Sequence, residues 1–293
     1  MAVDLLQEKI RKTKNPSIAE LCLSAADLPT HILEEEGSAA GAYLRFCKEL
    51  LTGLKGVVPA VRFSFTSFAL MGGEGLNSLT NALKFARELG YYVILDAPEI
   101  LSPKVASMTA EAVWGENSLY PCDGLVISGN LGRDVIKPFL KYCKEGKKDL
   151  FVTARTANKS APELQDLLAG SRLVHAAAAD HVNRYGADTA GKFGYTRVGV
   201  MAAASAADSL RTLRSKYPKL FLLVDGYDYP NANAKNCSNA FDKFGHGAAV
   251  CSAAGITCAW KEAEGSDGRD FLEKAVASAE KMKKNLTRYT TVL

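Results

Sequence analysis

Carboxylates near the ends of apolar runs are the first residues in this chain whose types could do chemistry. Asp96, Glu99, Asp225 and Asp228 would serve as oxygen ligands if they converged on a divalent cation. Solvated loop acids are the commoner case, so no metal is expected. The histidines add none: His175 and His181 fall in one helical pattern but on different faces, and neither His31 nor His246 has a suitably spaced partner. Ser252-Ala253-Ala254-Gly255 could present backbone N–H groups to an anion at a helix start, although such Gly/Ala turns also arise for steric reasons alone. Tyr227, Tyr229, Phe65 and Phe68 could stack a ring or simply fill space.

The elements that must position these residues alternate along the whole chain. Short apolar runs at 17–23, 56–65, 91–97, 124–128, 149–155, 197–202, 219–224 and 247–252 read as strands. Their continuous apolar character suits parallel strands covered on both faces. Helical spacing fills the intervals at 39–54, 75–89, 135–144 and 205–217, with a longer stretch over 161–185 broken near Gly170 and a closing helix over 268–286. Eight strand–helix units predict a single closed (β/α)8 barrel rather than an open sheet, and no Gly-x-Gly-x-x-Gly follows the first strand. One domain is expected over 1–293, with an N-terminal helix at about 1–16 and a closing helix and tail over 266–293. In such a barrel, chemistry belongs at the C-terminal strand ends and the loops beyond them.

Composition narrows the function class. A net charge of +4 argues for neither nucleic acid nor an anionic membrane as partner. No apolar run is long enough to span a bilayer, and the polar, basic N-terminus does not read as a secretory signal. The seven cysteines form no Cys-x-x-Cys pair and sit mostly in apolar contexts, so free thiols in a reducing cytoplasm are expected.

Several short runs then fall in a telling order: Val58-Pro59-Ala60-Val61, Val93-Ile94-Leu95-Asp96, the stretch from Leu131-Gly132-Arg133 to Lys137-Pro138-Phe139, Thr156-Ala157-Asn158 with Leu164-Gln165-Asp166, and Gly194-Tyr195-Thr196-Arg197-Val198-Gly199. From Lys12-Thr13-Lys14-Asn15-Pro16 to Ala253-Ala254-Gly255-Ile256, the chain resembles the orotidine 5'-phosphate decarboxylase family in its longer bacterial form. The resemblance implies a cofactor-independent carboxy-lyase of pyrimidine (UMP) biosynthesis. In the family, an Asp-x-Lys-x-x-Asp motif after the third strand and a Lys on the second surround the departing carboxylate. The motif lysine then protonates the carbanion.

Position by position, that array is replaced. The third strand continues Asp96-Ala97-Pro98-Glu99-Ile100-Leu101, so only the first Asp survives. Pro98 stands where the family has its proton-donating Lys, and carries no proton to give. Leu101 stands for the second Asp, which the family contributes across its dimer interface. Arg62-Phe63-Ser64 replaces Lys-Pro-Gln on the second strand, and Glu20-Leu21-Cys22-Leu23 replaces Gly-Leu-Asp-Pro on the first. Asp225-Gly226-Tyr227-Asp228-Tyr229-Pro230 replaces a Gly- and Gln-containing phosphate loop, and Ala254 the phosphate-binding Arg. Lys104 and Lys159 lie in nearby loops, outside the place the motif fixes.

Strand parity adds one further expectation. If Cys22 takes the family's inward Asp position, Glu20 points inward too, as do Arg62 and Asp96 by register. These three would form either a repurposed ligand site or a self-satisfied ion-pair cluster filling the space the substrate left, the second being simpler because a buried charge must be paired. The ligand-binding candidates are Glu20, Arg62, Asp96, Arg155, Asn158, Asp225, Ser252, Ala254 and Gly255. The expected function is that of a catalytically inactive family member acting by ligand or partner binding. The ligand would be a small molecule or nucleotide; the partner, a second copy or an active relative. The alternatives are altered chemistry using Asp96, Glu99, Asp225 or Cys22 as acid, base or nucleophile, and ordinary decarboxylation.

Overall fold

The computed structural model describes residues 2–292. Eight parallel strands, β1 (Ser17–Leu21), β2 (Ala60–Ser64), β3 (Tyr92–Asp96), β4 (Gly124–Ser128), β5 (Asp149–Arg155), β6 (Thr196–Ala203), β7 (Leu220–Asp225) and β8 (Ala248–Ser252), close on themselves, with β1 hydrogen-bonded to both β2 and β8. This is the (β/α)8 barrel that the alternating pattern predicts.

Alternation along each strand divides the apolar residues between two cores. Ile18, Ala60, Tyr92, Ile94, Val126, Phe151, Phe221, Leu223, Ala249 and Cys251 fill the barrel interior. Their neighbours in sequence, such as Ala19, Val61, Val93, Leu222 and Val250, face outward onto the helices. Space inside is tight enough that Gly199 is required: a methyl group there would sit 2.5 Å from the Phe221 carbonyl oxygen, where the Phe151 and Phe221 rings meet at 6.0 Å.

The N-terminal helix α1 (Ala2–Thr13) closes the bottom of the barrel with Val3, Leu6 and Ile10, at the spacing that puts one stripe on one face. Burying each such side chain contributes about 1.5–3 kcal/mol. Arg197 on β6 binds Asp4 of this helix at 3.1 Å. The outer ring includes α2 (Ala39–Gly53), α3 (Gly72–Glu88), α4 (Pro103–Trp114), α5 (Val174–Gly186), α6 (Ala207–Lys216), α7 (Ala254–Thr257) and the closing helix α8 (Phe271–Thr287).

Two helical expectations need correction. The stretch 161–185 is a short turn, Pro162–Gln165, then a two-stranded hairpin, Leu168–Ala169 with Arg172–Leu173, and only then α5. Gly170 turns the hairpin at φ +67, so the predicted break is a reversal of direction. The stretch 135–144 is likewise two short α-helical segments, Arg133–Ile136 and Leu140–Lys144, joined by a 3-10 turn containing Pro138, which has no N–H to continue an α-helix. Helix α4 was not anticipated, although its start is marked by Ser102, which accepts a hydrogen bond from the Val105 N–H at 3.2 Å, with Pro103 in the first turn.

Candidate functional site

The top layer of the barrel interior is polar. Moving up β1, β2, β3 and β7, the inward series run Ile18 then Glu20, Ala60 then Arg62, Ile94 then Asp96, and Leu223 then Asp225. Glu20 and Arg62 are direct cross-strand neighbours, which fixes their approach. Arg62 Nε donates to Asp96 Oδ1 at 2.7 Å, and Nη1 donates to Glu20 Oε2 at 3.1 Å and to Asp225 Oδ1 at 2.5 Å. One guanidinium thus holds three carboxylates, and its side chain is only 6% exposed. Asp225 is the member that strand parity, applied to β1, β2 and β3 alone, leaves outside the cluster. The parity of Phe221, Leu223 and Asp225 on β7 was the signal that could have found it.

Three acids against one base leave a surplus of negative charge. Burial raises the Glu20 carboxyl from its ordinary 4.5 to about 8, with Arg62 drawing it back down and Asp225 and Asp96 pushing it further up. Burial also raises Asp96, against the pull of Arg62. On Arg62, desolvation favours the neutral form, but the three carboxylates outweigh it and hold the guanidinium firmly charged. The folded protein therefore keeps a proton on Glu20 that the unfolded chain releases above its ordinary value. The associated stability is complete at low pH and is lost as pH rises from 4.5 through about 8. Glu20→Gln copies the protonated acid, so it should match the wild type near pH 5 and exceed it by about 1–3 kcal/mol near pH 9. Thermal unfolding at the two pH values reads this directly, and equal stability at both would contradict a protonated Glu20.

The remaining candidates lie around this layer. Cys22 is exposed at the mouth, and burial of its sulfur together with the nearby Glu20 charge raises its thiol above the usual value. Pro98 and Glu99 are exposed, and Leu101 is 76% exposed on the rim. Arg155 turns away from the axis and grips Asp166 with two hydrogen bonds, Nε at 2.9 Å and Nη2 at 3.0 Å. Asp166 also lies 3.2 Å from His175 Nδ1, so the pair pins the 162–174 excursion to β5. Asn158 is exposed and bonds within its own loop, to Thr156 and Ser160.

After β8, the turn of backbone that could bind an anion already holds one. Asp228 accepts from the Ser252 hydroxyl at 2.6 Å and from the Ala253 N–H at 2.6 Å. Gly255 makes room for it, since a methyl group there would stand 2.2 Å from Asp228 Oδ1. Ala254 is exposed and contributes no polar side chain.

Three of the four loop acids weighed as oxygen ligands are held by other partners. Asp96 and Asp225 belong to Arg62, Asp228 to Ser252 and Ala253, and among the described residues no group of three or more metal-ligating side chains is suitably placed. His246 lies beside Phe193 and Phe244 before β8, at the opposite face of the barrel.

A closed (β/α)8 barrel whose charged layer sits at the C-terminal strand ends defines the class. No protein-family model matches the chain. Curated relatives do. The chain is 30% identical over 241 residues to the orotidine 5'-phosphate decarboxylase of Rhodopirellula baltica, covering 81% of this chain and 80% of the relative. It is 26% identical over 281 residues to that of Petrotoga mobilis, covering 94% and 96%. The chain belongs to the orotidine 5'-phosphate decarboxylase family. Solved structures agree on the fold: the OMP decarboxylase of Leishmania donovani has a TM-score of 0.71 at 21% identity, covering 97% of this chain and 98% of that one. The orotidine 5'-monophosphate decarboxylase of Plasmodium berghei has a TM-score of 0.75 at 14% identity, covering 97% and 99%.

Proposed function

We propose that this chain is a member of its family that does not decarboxylate orotidine 5'-phosphate and instead acts by binding a ligand or a partner. The observation that carries the reading is the Arg62 cluster. The cation at the top of the barrel interior is engaged through Nε and Nη1 with Glu20, Asp96 and Asp225. It is held charged and so has no tendency to release a proton near neutral pH. Pro98 offers no replacement. The Asp228 carboxylate supports the reading at the second anchor, because it occupies the N–H and hydroxyl that would otherwise meet an anion. Chemistry through a Cys22 thiolate is disfavoured by the upward shift of its thiol.

Thermal unfolding with orotidine or uridine 5'-phosphate tests the binding half of this reading. A nucleotide present at 100 times its Kd would stabilise the fold by about 2.7 kcal/mol. The expected result is no shift at millimolar nucleotide. A clear shift with either one would restore the family's ligand site.

The partner is proposed to be a second copy of the chain in the cytoplasm, paired through the mouth rim. Leu101, Val105 and Met108, at 76%, 40% and 62% exposure, form an apolar stripe at the start of α4. An active relative could occupy the same face. Native mass measurement of the chain, alone and mixed with such a relative, should give a dimer. A monomer in both samples would overturn the pairing, and pairing only with itself would remove the mixed form.

A further inference from the structure

The bottom of the barrel, opposite the charged layer, carries a cavity of about 270 Å³ between the end of α1, the loop before β2 and the turn before β3. Lys9 and Lys12 of α1 and Lys55 of the loop line it, and no carboxylate does. Val58, Pro59 and Leu89 give it an apolar wall. Charges beside such a wall interact more strongly than they would in open water.

Local structure accounts for two of the three lysines. Lys12 stands in the last turn of α1, where a cation complements the negative end of the helix dipole. The Lys9 ammonium donates to the Gly90 carbonyl oxygen and keeps two further N–H donors. Neither reason covers Lys55, which comes from another element to line the same space. Its loop is fixed to the end of α1, because Asn15 Nδ2 donates to the Val57 carbonyl oxygen at 2.7 Å. The turn before β3 is fixed as well, through the Tyr91 hydroxyl, which donates to the Leu51 carbonyl oxygen at 2.6 Å. The Lys12 and Lys55 ammonium groups make no hydrogen bond or ion pair among the described residues. Like charges are thus gathered at one cavity, and no side chain lining it offsets them.

The geometry points to a binding site for a compact anion of several charges, a linear oligophosphate, held by Lys9, Lys12 and Lys55. Three separate cations select an anion whose charge is spread over successive groups, and lysine serves phosphate as a point charge on a flexible stem. The volume lies below the ~300–1,000 Å³ of sites for larger organic ligands, so a nucleoside does not fit inside. The site lies at the far end of the barrel from the Arg62 cluster, so neither loss nor retention of decarboxylation bears on it.

Inorganic triphosphate is the probe, titrated calorimetrically into the purified full chain at low salt. Binding below millimolar concentration is expected, weakening as sodium chloride is added. Lys12→Ala and Lys55→Ala should each weaken it about tenfold, as loss of one charge-assisted contact does. Lys104→Ala, at an exposed lysine outside the cavity, should change nothing. All three positions are exposed, so the fold should persist, as thermal unfolding will verify. Adenosine 5'-triphosphate carries the same tail and should bind no more tightly, and uridine 5'-phosphate, with one phosphate for three cations, should not compete. No binding at millimolar triphosphate overturns the proposal. So does binding that is indifferent to Lys55→Ala, or that falls as much with Lys104→Ala. Tighter binding of the nucleoside triphosphate, or displacement by uridine 5'-phosphate, would overturn the assignment to a bare oligophosphate.

Discussion

Arg62→Met will destabilise the protein by about 3–5 kcal/mol near neutral pH, the cost of stripping the partner from a buried charge. Three carboxyl groups, of which Glu20 keeps its proton, would be left facing one another in the barrel interior, with side-chain exposures of 11%, 21% and 19% for Glu20, Asp96 and Asp225. Protonation relieves that repulsion, so the deficit should shrink as pH falls. It should also shrink when Glu20→Gln, Asp96→Asn and Asp225→Asn are added, because a neutral layer no longer needs a cation. Urea unfolding measures the loss as a lower midpoint at unchanged slope. A deficit below about 1 kcal/mol near neutral pH would mean that the cluster is solvated and that Arg62 is available to a ligand.

The large features of the fold were legible because they rest on local pattern. Strand positions followed from apolar runs, and the two cores from strict alternation, as in Ile18 and Glu20 inside against Ala19 and Leu21 outside. The 162–174 excursion was not legible, since apolar spacing through Leu164, Leu167 and Leu168 imitates a helix while these residues are more than half exposed in a turn and hairpin. At the site, three of the four cluster members followed from register. The fourth, Asp225, needed the closure that brings β7 across from β2, a contact of 163 residues in sequence separation. Asp228 read as a charge that would repel phosphate. Its seat on Ser252 and Ala253 depended on the path of the β7 loop, which neither propensity nor spacing fixes.

This barrel has kept its family's fold, and we propose that it has lost the proton donor of its family's reaction. Groups that act as a unit in catalysis fail together, and losing the donor alone removes orders of magnitude of rate. Arg62 is a poor stand-in: it remains charged near neutral pH, and its Nε and Nη1 are already directed at Asp96, Glu20 and Asp225. Lys104 and Lys159 stand on exposed segments outside this layer. The decisive measurement is the ultraviolet absorbance of orotidine 5'-phosphate followed over hours with micromolar purified protein. The expected spectrum stays that of the substrate, indistinguishable from a protein-free control. Steady conversion to uridine 5'-phosphate, proportional to added protein and surviving repurification, would contradict it.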